Sequence, residues 1–357
     1  MQDIKIFQSV ISPKGDKNPF FLSNYFYIMG AYDQAITAGQ RALALARAGG
    51  EVVLDALAHQ YLALAYQAQG DYRRAIDCLG QTVTSLDGAR HRERFGEAFL
   101  PAVFSRAALA TYHAELGMFA EGRALGEEGL QIAEAAVHPA SLMWAYWGLG
   151  MLSLCQGDLC QALPLLERAV GICRDADLPA WFPRMAAALG AAYTLGRRVA
   201  DAVPLLTQAL QQSTAMARAH FEALCSPSLG EAQVLTGRLE ESHVLAERAL
   251  GLARAHQERG RQAYALYLLG DIAARHEPPE SEPAEAHYHQ ALALADELGM
   301  RPLQAHCHHS LGTLYVKTGQ PEQARTALPT ALELYRDMDM TFWLPQAEAA
   351  LAQVEGS

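Results

Sequence analysis

The segment LGTLYVKTGQPEQA, residues 311–324, contains the pattern that decides the fold. A small residue, Gly312, is followed by Tyr315 three positions later and by Gly319 seven positions later. Because self-similarity at a fixed period of about 20 to 50 residues is typical of solenoids, the sequence predicts one stack of similar units and not several unrelated domains. Related phrases recur as LALAYQAQGDYRRA (62–75), LGMLSLCQGDLCQA (149–162) and LGEAQVLTGRLEES (229–242).

The period of the repeat follows from the small residue that anchors each phrase. Successive anchors are separated by 40, 47, 40, 40, 40, 40 and 42 residues. The two longer gaps contain segments that would lengthen a loop, GARHRERFGE (88–97) and HEPPESEP (276–283). Eight units of about forty residues are therefore predicted. Their anchors are Ser23, Ala63, Ala110, Gly150, Gly190, Gly230, Gly270 and Gly312.

Each unit has the pattern of a helix, a tight turn and a second helix. Small residues recur twelve and nineteen positions after the anchor, as in Ala162 and Ala169, where two helices are expected to cross closely. A glycine seven positions after most anchors supplies the backbone conformation that ends a helix. Apolar residues then follow at three- and four-residue intervals, and alternating strand patterns are scarce. The predicted fold class is all-α.

These features resemble the tetratricopeptide repeat over roughly residues 17–339. The resemblance implies a right-handed superhelical solenoid of about eight helix-turn-helix units, although the family's usual unit is shorter. The closing stretch, residues 331–353, is similar to the C-terminal tetratricopeptide arrays of bacterial nucleotide-cyclase and ATPase signalling proteins. The sequence contains no G-x-x-x-x-G-K-[ST] phosphate loop, so the catalysis of such relatives is not expected here.

Two terminal segments fall outside the repeat pattern. Residues 1–16 are predicted to be a non-repeat leader, and residues 17–339 to be the solenoid of eight repeats. Residues 340–357 are predicted to form a capping helix and tail that cover the last unit. Since the first unit has no comparable cover, we expect the chain to be attached to a catalytic signalling domain, or to dock one.

Composition and charge argue against several classes of function. The net charge of −11 is unfavourable for nucleic-acid binding, which needs clustered Lys and Arg. No long apolar run predicts a membrane span and no secretion signal is present, so a cytoplasmic location is expected. The six cysteines lack paired metal-ligand spacing, and His306 and His309 are not part of an H-E-x-x-H arrangement. We therefore expect neither a metal site nor a cofactor.

In the family that the chain resembles, partners bind the concave wall that the first helices line. The positions six and three before each anchor, and one, four and five after it, are expected to face that wall. Aromatic rings provide area to bury and cations bind carboxylates or backbone oxygens, so such residues predict a groove for an extended peptide or a partner helix. Units four to eight provide Trp144, Trp147, Arg184, Glu231, Tyr264, Tyr267, Asp271, Arg275, His306, His309 and Lys317.

The function predicted from these residues is a non-catalytic interaction scaffold or sensor module of bacterial signalling, with a peptide or partner protein in its concave groove. One alternative is a ligand-sensing regulator whose curvature changes when a peptide or small molecule binds. An enzyme has little support, because no nucleophile stands beside a base at a recognisable spacing. For Trp144 and Trp147, simple packing between the units is the alternative interpretation.

Pro227 conflicts with the helical pattern. It lies three residues before Gly230, where the first helix of unit six should already be running. Two interpretations follow: a kink that widens the groove between units five and seven, or a helix that begins only at Ser226.

Overall fold

The computed structural model describes residues 19–216 and 219–355. Within these two ranges the regular secondary structure is entirely helical, which confirms the all-α prediction. The predicted leader, residues 1–16, lies outside the described residues.

Sixteen of the α-helices form eight consecutive pairs, one pair for each predicted unit, and a seventeenth follows them in the described part of the chain. A short 3-10 helix, Gly88–Arg92, lies in the longer connection between units two and three. The α-helices are α1 Pro19–Ile28, α2 Tyr32–Gly49, α3 Val52–Ala68, α4 Tyr72–Ser85, α5 Pro101–Glu115, α6 Phe119–Ala136, α7 Pro139–Gln156, α8 Leu159–Asp175, α9 Phe182–Leu195, α10 Val199–Ala215, α11 Ala219–Leu235, α12 Leu239–Ala255, α13 Arg259–Ala273, α14 Ser281–Leu298, α15 Arg301–Lys317, α16 Pro321–Asp337 and α17 Leu344–Glu355.

The anchor of each unit lies in the first helix and permits close packing of the second. A Cβ atom at Gly150 would lie 2.6 Å from Cδ2 of Leu166, and one at Gly312 would lie 2.5 Å from Cγ of Leu328. On the second helix, Ala162 is fully buried at the crossing. The recurring small residues are therefore explained by the short distance between paired helices, as predicted.

The turn after the first helix uses the left-handed backbone conformation that the glycine pattern predicts. Gly157, Gly237 and Gly319 have φ of 84°, 75° and 70°. Unit five carries Arg197 at this position, with φ of 60°. Because a Cβ atom is strained in this region, the turn of unit five is less favourable than the others.

Helix α11 runs through Pro227 without interruption, from Ala219 to Leu235. The interpretation in which the helix begins only at Ser226 is therefore wrong. The helical conformation on both sides of Pro227 also argues against a kink that widens the groove. A proline removes one i→i−4 hydrogen bond and its ring crowds the preceding turn, yet the hydrogen bonds of neighbouring residues maintain the helix here.

The two ends of the array differ. Helix α17 packs on α15 and α16, where Ala350 and Val354 join the same buried cluster as Leu328. At the other end, Phe21 and Tyr25 of α1 and Met29 directly after it are between 41% and 57% exposed. The last unit is thus covered by a helix, whereas the first presents apolar side chains to solvent, and docking of another domain there stays a prediction.

Candidate functional site

The superhelix closes on itself, so that early units contact late ones. The Tyr32 hydroxyl, at the start of α2, donates a hydrogen bond to the carboxylate of Glu258, just before α13. The Tyr264 hydroxyl in α13 donates to Oε2 of Glu115 in α5 at 2.8 Å. These partners are separated by 226 and 149 residues along the chain. We call this contact of units one to four with units six to eight the seam.

The turn glycines of the first four units lie at the seam. A Cβ atom at Gly157 would lie 2.6 Å from the Trp343 ring and 2.7 Å from Cβ of Phe342. Larger residues at these turns would therefore push the two sides of the seam apart. The neighbours across it are His256 at Gly30, Leu298 at Gly70, Met338 at Gly117 and Trp343 at Gly157.

A polar cleft of about 710 Å³ opens along the seam, between the turn of unit two and the segments that precede units seven and eight. It is lined by residues 69–73, by Gln257, Arg259 and Gln262, and by residues 296–299. None of the predicted groove residues lines it.

The predicted groove residues lie instead on the first helices of units four to eight or directly after one of them, and we call the face that they are predicted to share the inner wall. The Glu231 side chain is exposed, yet the protein around it raises its pKa to about 7 by desolvation, and the charge of Asp271 adds to this shift. Half-buried Glu115 behaves similarly, since burial raises its pKa to about 7. Both carboxylates thus keep accessible surface although protein atoms around them disfavour their charged forms.

The hydrogen bond between Tyr264 and Glu115 connects the inner wall to the seam. By donating to the carboxylate, Tyr264 opposes part of the effect of burial on the pKa of Glu115. The negative charge of Glu115 in turn adds to the burial that raises the pKa of Cys155 well above its usual value. The Cys155 thiol is therefore protonated at neutral pH.

Asp271 is the centre of a hydroxyl network further along the inner wall. The Tyr288 hydroxyl donates to Oδ1 of Asp271 at 2.6 Å, and the hydroxyls of Tyr267 and Ser310 lie 3.0 Å apart. Burial raises the pKa of Asp271, although the hydrogen bond from Tyr288 opposes it. These hydrogen bonds hold Tyr267 and Asp271 in place, and no cationic side chain forms a direct ion pair with Asp271 among the described residues.

Two predicted cations lie at the ends of their helices. Arg275 and Lys317 are exposed, and their charges lower the pKa of Asp271 in part. A role of these two cations in ligand binding stays a prediction.

Arg184, near the start of α9, is surrounded by aromatic rings. Its guanidinium carbon lies 5.9 Å from the ring centroid of Trp144, 5.5 Å from that of Trp147 and 5.7 Å from that of Phe221. Distances below about 6 Å are typical of favourable cation–π contacts. We call these three rings the tryptophan cage.

The two tryptophans of the cage are mostly core residues. Trp144 and Trp147 are only 5% and 8% exposed, and their rings meet edge to face at 5.3 Å. The indole Nε1 of each is buried and has no hydrogen-bond acceptor among the described residues. Packing, the alternative interpretation, therefore accounts for most of their surface, and a direct role in ligand binding stays a prediction.

His306 and His309 pack within an aromatic cluster in unit eight. Nδ1 of His306 lies 2.8 Å from the Tyr335 hydroxyl, and its ring lies 4.6 Å from the Trp343 ring. Burial lowers the pKa of His306 to about 3, with a further effect from His309. His306 is therefore neutral at physiological pH and offers a hydrogen bond, not a charge.

The described residues contain no group of three or more His, Cys, Asp or Glu placed to hold a metal ion. Among the helices of residues 19–216 and 219–355, none combines the length and apolar character that crossing a lipid bilayer requires.

Three inner-wall or seam residues were not predicted. Glu115 stands five positions after Ala110, so the same positional rule that selected Arg275 would have selected it. Arg261 stands nine positions before Gly270, outside the positions that the rule selects, and forms an ion pair with Glu258 at 2.8 Å. Trp343 lies between α16 and α17, outside any repeat position, and no sequence signal pointed to it.

The sequence of residues 263–337, which covers units seven and eight, matches the tetratricopeptide repeat family. This match and the solved structures below bear out the predicted resemblance to repeat proteins of this kind. No curated protein matches the chain.

Several solved structures share the fold. A Rap protein complexed with Competence and Sporulation Factor is 13% identical, with a TM-score of 0.62, and the match covers 84% of this chain and 85% of that one. NprR in complex with its cognate peptide NprX is 13% identical, with a TM-score of 0.57 and coverage of 83% and 81%. Aspartyl phosphate phosphatase F from Bacillus subtilis is 10% identical, with a TM-score of 0.53 and coverage of 81% and 73%. At these identities the common property is the solenoid fold.

Proposed function

We propose that this protein is a non-catalytic scaffold or sensor of bacterial signalling that binds a peptide, or an extended segment of a partner protein, in the lumen of its superhelix. A cytoplasmic site of action is part of the proposal. The observation that carries it is the inner wall, where charged side chains remain accessible although protein encloses them.

The chemistry of the inner wall suits an extended peptide. Glu231 and Asp271 form an acidic region, and Glu231 has no hydrogen-bond or ion-pair partner among the described residues. Arg184 and the tryptophan cage form a cationic and aromatic region. A peptide offers backbone amides, side chains and two charged termini to such a surface, as in other grooves that bind extended segments.

The closed seam favours a thin ligand over a folded one. Because Tyr264 and Tyr32 connect successive turns, the inner wall is shielded from large partners approaching from the side. An extended chain can occupy the space without breaking these contacts. Two of the similar folds, the Rap protein and NprR, were solved with Competence and Sporulation Factor and with the peptide NprX, and these complexes support the proposal.

The test is capture of peptides by the immobilised chain. The small-peptide fraction of the source cell's lysate is passed over wild type and over Glu231→Gln/Asp271→Asn, and bound peptides are identified by mass spectrometry. Glu167→Gln/Asp201→Asn is the matched control, since both residues are about half exposed on the outside. We expect the same peptides on wild type and control and few on the inner variant. Equal recovery on the inner variant would place the site elsewhere.

A sensor whose curvature changes on binding is the second candidate, and the seam favours it. Contacts such as Tyr32 with Glu258 and Tyr264 with Glu115 can open or close as one step, which gives the two states that a switch needs. Small-angle X-ray scattering with and without a captured peptide measures this directly. An unchanged radius of gyration would contradict the sensor hypothesis and would be compatible with the scaffold.

A further inference from the structure

The polar cleft at the seam has the size of a ligand site and is separate from the inner wall. Its volume of about 710 Å³ lies within the range of about 300 to 1,000 Å³ that is typical of small-molecule sites. Residues 69–73 line one side, and residues between 257 and 262 and between 296 and 299 line the other. The two sides touch at Gly70, where a Cβ atom would lie 3.0 Å from both Cδ atoms of Leu298. A molecule in the cleft would therefore contact both sides of the seam.

Three of the five charged side chains that line the cleft are already engaged with partners in the protein. Arg259 forms a bidentate ion pair with Glu297, in which Nη1 lies 2.6 Å from Oε1. Asp71 accepts a hydrogen bond from the backbone N–H of Arg74 and forms an ion pair with the side chain of Arg74 at 3.3 Å. The charges of Arg259, Glu297 and Asp71 are thus largely neutralised within the protein.

The other two charged side chains of the lining, Arg73 and Asp296, belong to opposite sides of the seam. Both are exposed, and neither has a hydrogen-bond or ion-pair partner among the described residues. The charge of Asp296 acts on Cys307 and His308, but burial raises the pKa of Cys307 and lowers the pKa of His308. Because both of these neighbours are neutral at physiological pH, the cleft presents one uncompensated positive and one uncompensated negative charge.

We propose that the cleft is a second ligand site, which takes a hydrophilic zwitterion with its carboxylate at Arg73 and its ammonium group at Asp296. The proposal goes beyond the proposed function, because none of the predicted groove residues lines this cleft. A guanidinium binds a carboxylate through two parallel hydrogen bonds, and a carboxylate accepts hydrogen bonds from an ammonium group. Since the two residues belong to opposite sides of the seam, a ligand that is bound to both favours the closed seam.

A carboxylate and an ammonium group occur together in free amino acids and in short peptides with free termini. The probes are therefore two sets, a mixture of amino acids with uncharged side chains and a pool of tripeptides built from the same residues. N-acetylated and C-amidated forms of both sets each lack one of the two charges. Saturation-transfer NMR detects the binding of each set to the full chain, and isothermal titration calorimetry measures the affinity of the best probe in each form.

Wild type should bind a probe with free termini, and blocking either terminus should weaken its binding about threefold to tenfold. Arg73→Gln should bind the free and C-amidated forms equally, and Asp296→Asn the free and N-acetylated forms equally, because each variant lacks the partner of the blocked group. Arg41→Gln and Asp77→Asn are the matched controls, since both residues are exposed and neither lines the cleft. The controls should keep the wild-type preference, and circular dichroism verifies that all variants are folded.

Two further measurements locate the bound probe. The inner-wall variant Glu231→Gln/Asp271→Asn should bind the probes as wild type does, and loss of their binding would assign them to the inner wall and overturn the cleft site. With the best probe bound, amide hydrogen exchange should slow in residues 69–73 and in residues 296–299 together. Slowing on one side alone would overturn the bridging of the seam.

The outcomes separate the possibilities. Binding of the amino acids alone assigns a free amino acid as the ligand, and binding of the tripeptides alone assigns a short peptide. Equal binding of free and blocked forms to wild type would overturn the zwitterion. Unchanged preferences in Arg73→Gln and Asp296→Asn, or binding of no probe at all, would overturn the site. Capture of peptides at the inner wall is measured separately, so the proposed function can fail or hold independently of these results.

Discussion

Charged residues on the exposed surface and on the inner wall of this protein are stabilised in different ways. On the exposed surface, Arg198 contacts both Glu167 and Asp201, at 3.4 Å and 2.9 Å, and all three side chains are about half accessible. On the inner wall, Glu115 accepts a hydrogen bond from a tyrosine hydroxyl, and Arg184 is surrounded by rings. Neither Glu115 nor Glu231 has an ion-pair partner among the described residues.

This difference bears on the proposal that a ligand binds at the inner wall. Exposed ion pairs contribute little to stability and nothing to specificity, because water screens them. Inner charges without an opposite partner are costly to fold, since burial disfavours the charged form. Glu115 and Glu231, which have no ion-pair partner among the described residues, therefore support the proposal that a ligand binds at the inner wall.

The largest expected effect tests whether the inner aromatics are structural. Trp144→Ala should lower the free energy of unfolding by about 3–5 kcal/mol, because it empties a site enclosed by Phe104 and Trp147. The control Val244→Ala, at a side chain that is 67% exposed, should change it by less than about 0.5 kcal/mol. Urea denaturation measures both. Similar values for the two variants would contradict the assignment of Trp144 to the core.

The second comparison concerns turns inside and outside the seam. Gly157→Ala and Gly237→Ala both place a Cβ atom in the left-handed region, at a cost of about 1–2 kcal/mol each. Gly157 also meets Trp343 across the seam, whereas Gly237 has no other atom within 4 Å. Gly157→Ala should therefore lose a further ~1–3 kcal/mol in chemical denaturation. Equal losses would mean that the seam contributes nothing to stability.

The third comparison sets one buried tyrosine hydroxyl against one exposed hydroxyl. Tyr264→Phe removes the hydrogen bond to Glu115, and should cost about 1–3 kcal/mol and raise the pKa of Glu115 further. Tyr193→Phe removes a 3.0 Å hydrogen bond to Glu167 in an exposed pair, and should cost about 0.5 kcal/mol or less. Thermal unfolding of both variants measures the two losses of stability. A larger loss in Tyr193→Phe than in Tyr264→Phe would contradict the difference between the two surfaces.

The smallest effect, taken per pH unit, is the pH dependence of stability. Because burial raises the pKa of Glu115 from 4.5 to about 7, the native state holds a proton that the unfolded state has released between these pH values. The stabilising contribution of protonated Glu115 is fully present below pH 4.5 and is lost as pH rises through 7. Glu115→Gln should flatten this decline by up to ~1 kcal/mol per pH unit, and Glu167→Gln should not. An unchanged slope in Glu115→Gln would contradict the buried environment.

Much of the fold follows from local pattern. The anchors, the small residues of the second helices and the turn glycines each depend on contacts within one unit, and the sequence predicts them because each unit repeats the same contacts. Arg197 is the exception, since unit five keeps the turn conformation without the glycine. Pro227 also misled the interpretation, because its helix is maintained by packing that a local rule does not include.

The seam could not be predicted from the sequence. Whether Tyr264 reaches Glu115 depends on the pitch of the superhelix, which sums small rotations over four units and is not set by a forty-residue period. For the same reason, the sequence did not indicate that protein surrounds Glu115. Trp343 lies outside the repeat positions, so no repeat pattern predicted its contacts. The binding roles of Arg184, Glu231 and the other inner-wall residues stay predictions that the experiments above address.

The hydrogen bond from Tyr32 to Glu258 also determines how the chain folds. In an open solenoid each repeat touches only its neighbours, so stability is a sum of adjacent terms and the end repeats fray first. Here the first unit shares contacts with the seventh across 226 residues, so melting of one end removes support from the other. We therefore expect the array to unfold more cooperatively than a linear stack, and these long-range contacts should make its folding slower than that of an open array of equal length.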